Sequence, residues 1–380
     1  MAAAVADDPH PRPNPHTTGS EVSTMGTAHT RTRRRPTRGR GRRRRAGPRT
    51  GLKRRRLALT AASLATVLAL GGWLLYARLD ANLATTDVDA TLGSDRPTRG
   101  PDGSLNILLL GSDSRAGQNA EYGADAGGAR SDTAMLVHLA KGRREATVVS
   151  IPRDTMVARP ACPLPNGHTS QASAAAMYNS AYAVGGSACA VKTVEQLGKV
   201  RIDHVLDVDF TGFKKLVDAV GGVTVTTDQA IHDRDSHLDL EAGRHRLDGE
   251  QALGLVRTRH SIGDGSDLGR IKLQQTFMAA LAQQLSGSGL LTDPVRLYQV
   301  ADAATSALTT DKALGSAQAL LGLARGLADL QPSRIAFRTL PVGPYPKDPN
   351  RVAVKRPEAD ALFTAVRDDT ALPPVSTKEK

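Results

Sequence analysis

Residues 106–115 read NILLLGSDSR, and this stretch decides the fold. The apolar run Ile107–Leu110 stops at Gly111 and gives way to Ser112-Asp113-Ser114-Arg115. So short a run, closed by glycine, reads as a buried strand. A strand apolar throughout needs cover on both faces of its sheet. The downstream pattern supplies partners and cover. Thr133–Leu139, Thr147–Ile151, His204–Phe210, Val223–Thr226 and Arg334–Leu340 read as further strands. Thr211–Val220, Asp248–Val256, Gly269–Leu285, Asp293–Leu308 and Asp311–Leu327 read as helices. Strands interleaved with helices predict an α/β sheet covered on both sides.

The chain has 380 residues and a formal net charge of +12, unevenly spread. Residues 1–56 hold 16 basic groups against three acids, Asp7, Asp8 and Glu21; residues 57–380 hold 34 against 35. The basic excess therefore belongs to the tail, which argues against a nucleic-acid-binding fold. Aromatic residues at 3% argue against a base-stacking surface.

Leu57–Ala77 (LALTAASLATVLALGGWLLYA) is 21 residues without a charge. As a helix it is about 32 Å long, enough to cross a bilayer. Lys53-Arg54-Arg55-Arg56 precedes it, and Trp73 and Tyr76 sit near its far end. The positive-inside bias puts the tail in the cytoplasm and the remainder outside. A cleaved signal peptide is the rival reading, but 21 residues is long for its apolar region and no small-x-small cleavage site follows. The expected organisation is a disordered basic tail (1–56), a membrane helix (57–77), a polar linker (78–104), one catalytic domain (105–368) and a C-terminal tail (369–380). Cys162 and Cys189 fall on the exterior side, where a disulfide can persist, although two buried free thiols remain open.

Five charged motifs adjoin the apolar segments: Gly111-Ser112-Asp113-Ser114-Arg115, Arg130-Ser131-Asp132-Thr133, Ser150-Ile151-Pro152-Arg153-Asp154, Arg257-Thr258-Arg259 and Asp267-Leu268-Gly269-Arg270. Groups at the carboxyl ends of strands in an open sheet face the ligand crevice. Arginines gathered there repel one another unless an anion lies between them, and a pyrophosphate suits planar guanidinium groups. Asp113 and Asp132 could then hold a Mg²⁺ shared with phosphate oxygens. Each motif alone also has an ordinary reading as a salt bridge, a solvated face or a helix start. No Walker, GxSxG or HExxH pattern occurs, and the histidines His204, His232, His237, His245 and His260 have no metal-ligand spacing.

At these motifs the chain resembles the LytR-CpsA-Psr family. The stretches that carry the resemblance are NILLLGSDSR (106–115), RSDTAML (130–136), VVSIPRDT (148–155), YNSAYAVGG (178–186), DHVLDVDFTGFKKLVDAVGGV (203–223), LDGEQALGLVRTRH (247–260) and DLGRIKLQQ (267–275). The resemblance implies a three-layer α/β/α sandwich. It further implies a Mg²⁺-assisted phosphotransferase that moves a glycopolymer from a polyprenyl-pyrophosphate carrier to peptidoglycan. Carried over, Asp113 and Asp132 match metal-binding aspartates. Arg115, Arg130, Arg153, Arg257, Arg259 and Arg270 match arginines around the pyrophosphate. Asp154, Asp267 and Gln274 match other polar site positions, with Asp154 or Asp267 as the expected base, and Asn179 matches a recurrent asparagine. Leu273 and Met177 stand where relatives often carry a basic residue. Phe210, Phe213, Leu216 and Val217 are read either as the wall of a lipid channel or as plain core. Competing functions are a pyrophosphatase on the same lipid, a membrane-bound regulator and a non-enzymatic lipid binder.

Overall fold

The computed structural model describes residues 50–112, 131–164, 166–259, 267–287, 289 and 292–374. Asp113, Arg115 and Arg130 lie outside the described residues, as do the tail up to residue 49 and the terminal residues 375–380. The chain divides within its first helix, at Ala62/Ser63, into two units. In the first unit the described residues are helical, and the Thr60 hydroxyl donates to the carbonyl of Leu57 at 2.9 Å. The second unit carries the fold.

Helix α1 (Thr50–Asn82) is longer than the 21 residues expected. Its flanks are rich in arginine, leucine and alanine, which continue a helix readily. Among the described residues it is the one helix long and apolar enough to cross a membrane. Leu64, Leu68 and Trp73 are more than half exposed, so no protein face covers them. An apolar helix without a protein partner suits a lipid surround.

The expected linker needs correction. Ala84–Thr86 is a strand, β1, and Val88–Leu92 a short helix, α2. Asp87 caps α2, accepting from the Ala90 N–H at 3.1 Å, and Val88 and Leu92 are buried in the core. Arg96, also in that stretch, forms a buried ion pair with Glu195 at 2.7 Å and donates to the Ile202 carbonyl at 2.8 Å. Burial opposes its charge, but Glu195 and Asp89 outweigh that and hold the guanidinium above its usual range. Elements of three and five residues are too short to show a period, so sequence reasoning passes over them.

The chain then runs β2 (Leu105–Ser112), β3 (Ser131–Leu139), β4 (Ala146–Ser150), β5 (Thr155–Arg159), β6 (Ser173–Met177) and α3 (Tyr178–Gly198). It continues through β7 (His204–Asp209), α4 (Phe210–Ala219), β8 (Val223–Thr227), β9 (Ile231–Asp233), β10 (Leu238–Leu240), β11 (Gly243–Leu247) and α5 (Gly249–Arg257). Last come α6 (Asp267–Gly287), α7 (Pro294–Ala307), β12 (Leu308–Asp311), α8 (Ala317–Gly326), β13 (Ile335–Thr339), β14 (Val342–Tyr345), β15 (Asp348–Val354) and α9 (Arg356–Asp368).

The main sheet has seven strands in the order β1-β12-β7-β2-β3-β4-β13. It is mixed: β2 is parallel to β7 and antiparallel to β3, and β4 is parallel to β13. Leu108, Leu110, Leu136 and Val149 pack on one face with α2, α3 and α9. Ile107, Val137 and Leu206 point to the opposite face, towards α8. Alternation along each strand thus feeds two helical layers, which is the three-layer arrangement. A second sheet, β14-β15-β5-β6, and the hairpins β8/β11 and β9/β10 complete the unit.

Two expectations on helices differ from the structure. The stretch 311–327 is not one helix: Asp311 ends β12 and accepts from the backbone N–H groups of Val205 at 3.0 Å and Ala313 at 2.9 Å, which pins the chain before α8 begins. A Cβ on Gly315 would lie 2.7 Å from Thr85 Cγ2, so β1 approaches that turn too closely for a side chain. Helix α3 has no counterpart in the sequence reading. It is kinked at Gly185 and Gly186, the latter with φ 61°, and the glycine pair breaks the apolar period.

Cys162 and Cys189 form a disulfide, with Cα atoms 5.3 Å apart, that ties the segment after β5 to α3. The bridge closes a loop with a sequence separation of 27. Cys189→Ser is therefore expected to lower unfolding stability by about 3 kcal/mol. Thermal unfolding of the wild type with and without reductant checks this; equal midpoints in both conditions would contradict it.

The end of α1 is fastened to this unit. Asn82 Nδ2 donates to Asp302 Oδ1 at 3.1 Å, and Asp80 Oδ1 accepts from the Ala317 N–H at 2.8 Å. Only Leu83 separates α1 from β1.

Candidate active site

The carboxyl ends of β2, β7 and β4 and the amino end of antiparallel β3 meet at one edge of the sheet. Asp132 owes its place to a register shift there. Gly111 pairs with Thr133 but Ser112 pairs with Ser131, so Asp132 is the extra residue of a bulge. A bulge re-aims a side chain and leaves backbone groups without ladder partners. The freed carbonyl of Asp132 accepts from Arg270 Nη2 at 3.1 Å.

Arg153 follows β4 and is the hub of the charged groups. Its Nη1 contacts Asp132 Oδ1 at 2.6 Å, and its Nε lies 3.6 Å from Asp154 and 3.8 Å from Asp267. Its backbone N–H donates to Asp267 Oδ2 at 3.2 Å. Burial opposes its charge, but Asp132 outweighs that, with Asp154 and Asp267, and keeps the guanidinium above its ordinary range. Arg270, only 5% exposed, pairs with Asp267 one turn earlier on α6. Burial pushes it below its ordinary range, aided by Arg153 and countered by Asp267. Gln274, on the next turn, donates to Thr133 Oγ1 at 2.9 Å and to the Val256 carbonyl at 3.1 Å. It thereby links α6, β3 and α5.

These groups rim a cavity of about 650 Å³. Asp132, Arg153, Arg257, Arg259, Arg270 and Gln274 all line it. Its depth is apolar and lies between the sheet and helices α4 to α7, where Phe213 and Phe277 meet with ring centroids 5.3 Å apart. Phe210, Phe213, Leu216 and Val217 all line this cavity. The Arg257 guanidinium lies over the Phe210 ring at 4.9 Å, a cation–π contact at the border between charged rim and apolar depth. Arg259 is positioned through its backbone N–H, which donates to Asp233 Oδ2 at 2.9 Å.

Three sequence-derived placements change. Asp154 and Asp267 do not line the cavity but stand behind Arg153; Asp154 also contacts Arg351 at 3.4 Å. Both form ion pairs with Arg153 and so help to hold its guanidinium. Asn179 is buried away from the cavity, and its backbone N–H donates to the Arg153 carbonyl at 3.2 Å. The arginines also do not depend on an anion alone to coexist, because Asp132 and Asp267 already offset part of their charge. Leu273 packs in the apolar cluster around Phe277, which no basic side chain could join cheaply. Asp209, Asp233 and Asp235 line the cavity without having been singled out from sequence. Asp209 reads as the cap of α4, accepting from the Gly212 N–H at 2.7 Å, and that role masked it. The repeated acid in Asp233-Arg234-Asp235 was the available signal.

The model of the LytR_cpsA_psr family matches residues 75–367. The chain belongs to this family. The probable cell wall biosynthesis protein LcpB of Corynebacterium glutamicum is 33% identical over 315 residues, covering 80% of this chain and 70% of that one. The polyisoprenyl-teichoic acid–peptidoglycan teichoic acid transferase TagT of Bacillus subtilis is 35% identical over 184 residues, 47% of this chain and 52% of that protein. The chain thus spans about half the length of TagT. Among solved structures, a LytR-Csp2A-Psr enzyme from Actinomyces oris superposes with a TM-score of 0.57 at 22% identity, covering 75% of this chain and 96% of that one. TagT bound to LIIa-WTA superposes with a TM-score of 0.51 at 25% identity, covering 70% and 90%. These matches show a mixed α/β fold of the LytR-CpsA-Psr type and place the chain among relatives named for cell wall biosynthesis and teichoic acid transfer.

Proposed function

We propose that the chain is a membrane-anchored phosphotransferase that attaches a glycopolymer, carried on polyprenyl pyrophosphate, to peptidoglycan. The observation that carries this reading is one cavity with two chemistries: an apolar depth and a rim holding Arg153, Arg257, Arg259 and Arg270. A polyprenyl diphosphate has the same division, with an apolar chain and a charged head. Burying the chain is favourable by about 0.8 kcal/mol per methylene. The guanidinium groups hold the diphosphate in place and stabilise charge developing on the leaving phosphate, which stays with the lipid.

Transfer needs an acceptor hydroxyl that loses its proton as it attacks the polymer-linked phosphorus. Asp154 and Asp267 are committed to Arg153, so we assign that role to a carboxylate of the cavity wall. Asp132 gives its Oδ1 to Arg153 and has its second carboxylate oxygen as a hard donor at the rim, which fits a Mg²⁺ that takes one or two carboxylates and shares phosphate oxygens. Asp132, with Asp113 as its second ligand, would hold that ion, and its charge would assist departure of the phosphate. Helix α1 holds the enzyme in the plane of its lipid donor and raises the encounter rate by effective concentration. The basic tail stays cytoplasmic and binds anionic lipid rather than nucleic acid.

Full-length protein in lipid nanodiscs, given defined lipid-pyrophosphate donors and peptidoglycan with and without Mg²⁺, tests the reading. Glycopolymer attached covalently to peptidoglycan is the expected product. Release of phosphorylated glycan without attachment would make the protein a pyrophosphatase instead.

A further inference from the structure

A second cavity, of about 680 Å³, lies on the other face of the main sheet, beside α3. Asp207 and Asp209 both line it. Along β7 they alternate with Val208, which lines the first cavity, so β7 separates the two spaces. Asp209 and Leu308 line both, at the edge of the sheet where the arginine rim begins.

Asp207 is unusual for a site of no assigned purpose. It is 6% exposed and sits on an interior strand of the main sheet. Its Oδ2 accepts from the Tyr182 hydroxyl and from Ser187 Oγ, the latter at 3.2 Å. Its Oδ1 makes no hydrogen bond of good geometry among the described residues, although the nearby Ser112 hydroxyl favours its charged form. A buried carboxylate oxygen without a partner costs several kcal/mol, so its retention points to a donor supplied from outside. Burial pushes the Asp207 carboxyl above its usual range, countered by the Tyr182, Ser112 and Ser187 hydroxyls.

The rest of the wall narrows the ligand class. It carries the hydroxyls of Thr86, Thr91, Ser112, Ser187 and Thr309, and no lysine or arginine among the described residues. Two carboxylates on the described wall disfavour phosphate. They suit a ligand with many donors, and vicinal sugar hydroxyls and acetamido N–H groups provide them. The kinked glycines Gly185 and Gly186 line the same wall, and Gly186 has open space where a side chain would stand.

We propose that this second cavity binds the acceptor saccharide and delivers its hydroxyl past Asp209 to the donor phosphate in the first cavity. The assignment rests on the transferase reading, which it deepens by giving donor and acceptor opposite faces of one sheet.

The test uses full-length protein in nanodiscs and a fluorescent peptidoglycan glycan fragment of alternating N-acetylglucosamine and N-acetylmuramic acid bearing stem peptides. Fluorescence anisotropy measures its affinity. Asp207→Leu removes the acceptor oxygens, and Thr91→Trp fills the cavity from an exposed position whose substitution leaves the core untouched. Each is expected to weaken fragment binding by about tenfold or more while leaving affinity for the lipid-pyrophosphate donor unchanged. Fragment binding unaffected by both variants would overturn the assignment. So would displacement of the fragment by glycerophosphoglycerol, which would mark the cavity as a lipid-headgroup site. If the fragment binds here but no glycopolymer is attached, the transferase reading falls and the saccharide site stands. If attachment proceeds and neither variant raises the acceptor KM, the site falls and the transferase stands.

Discussion

Arg153→Ala should lower glycopolymer transfer by about 10²–10³-fold, the range seen when a single preorganised donor is removed from an oxyanion site. The side chain touches Asp132, Asp154 and Asp267 at once and lines the cavity beside Arg270. Three carboxylates hold one planar guanidinium, so its direction is fixed before the substrate arrives. The loss should appear in kcat, with a smaller change in the donor KM, because charge on the bridging oxygen grows towards the transition state. Alanine also leaves those acids uncompensated, so a second variant separates folding from chemistry. Arg153→Lys keeps the charge and should fold, yet a point charge cannot reproduce the planar fork, and it should recover little of the rate. Rates measured with far-ultraviolet circular dichroism on the same samples decide the matter. A loss below tenfold in a folded Arg153→Ala protein would remove Arg153 from the catalytic rim.

Leu281→Trp should separate recognition of the lipid from recognition of the diphosphate. Leu281 lies on α6 in the apolar depth of the first cavity, away from the arginine rim. A tryptophan there shortens the space for the polyprenyl chain. Excluding four methylenes forfeits roughly 3 kcal/mol, or roughly 100-fold in the apparent affinity for a long-chain donor. A donor with a chain of about ten carbons is expected to stop short of that depth and lose little. Steady-state transfer measured with the two donors reads the difference. Equal losses with both donors would mean that the apolar cavity is core and not a channel.

The sequence displayed the sheet well and the site unevenly. The apolar run at Ile107–Leu110 announced its strand because burial on both faces leaves a continuous apolar stretch. Arg153 and Arg270 were visible as charge beside strand or helix ends, and the sheet edge brings them together. Their division of labour was not visible. Whether Asp154 faces a ligand or backs an arginine depends on long-range contacts such as that with Arg351, 197 positions away in the chain. The bulge at Asp132 depends on the pairing of two strands and leaves no local signature. Asp207 was hidden for another reason: an acid at an alternating strand position reads as solvent-facing, yet this one lies beneath Tyr182 and Ser187. Helix α3 escaped notice because its glycine pair interrupts the pattern that would have revealed it.

One residue, Leu83, lies between the end of α1 and the first strand of the sheet, and Asp80 and Asn82 are already bound to the domain. Such a joint has no slack. With α1 crossing the bilayer as proposed, the enzyme cannot rise like a kite on a string to search the wall above it. On the proposed function, its acceptor would be glycan newly emerging at the membrane surface rather than mature glycan farther out.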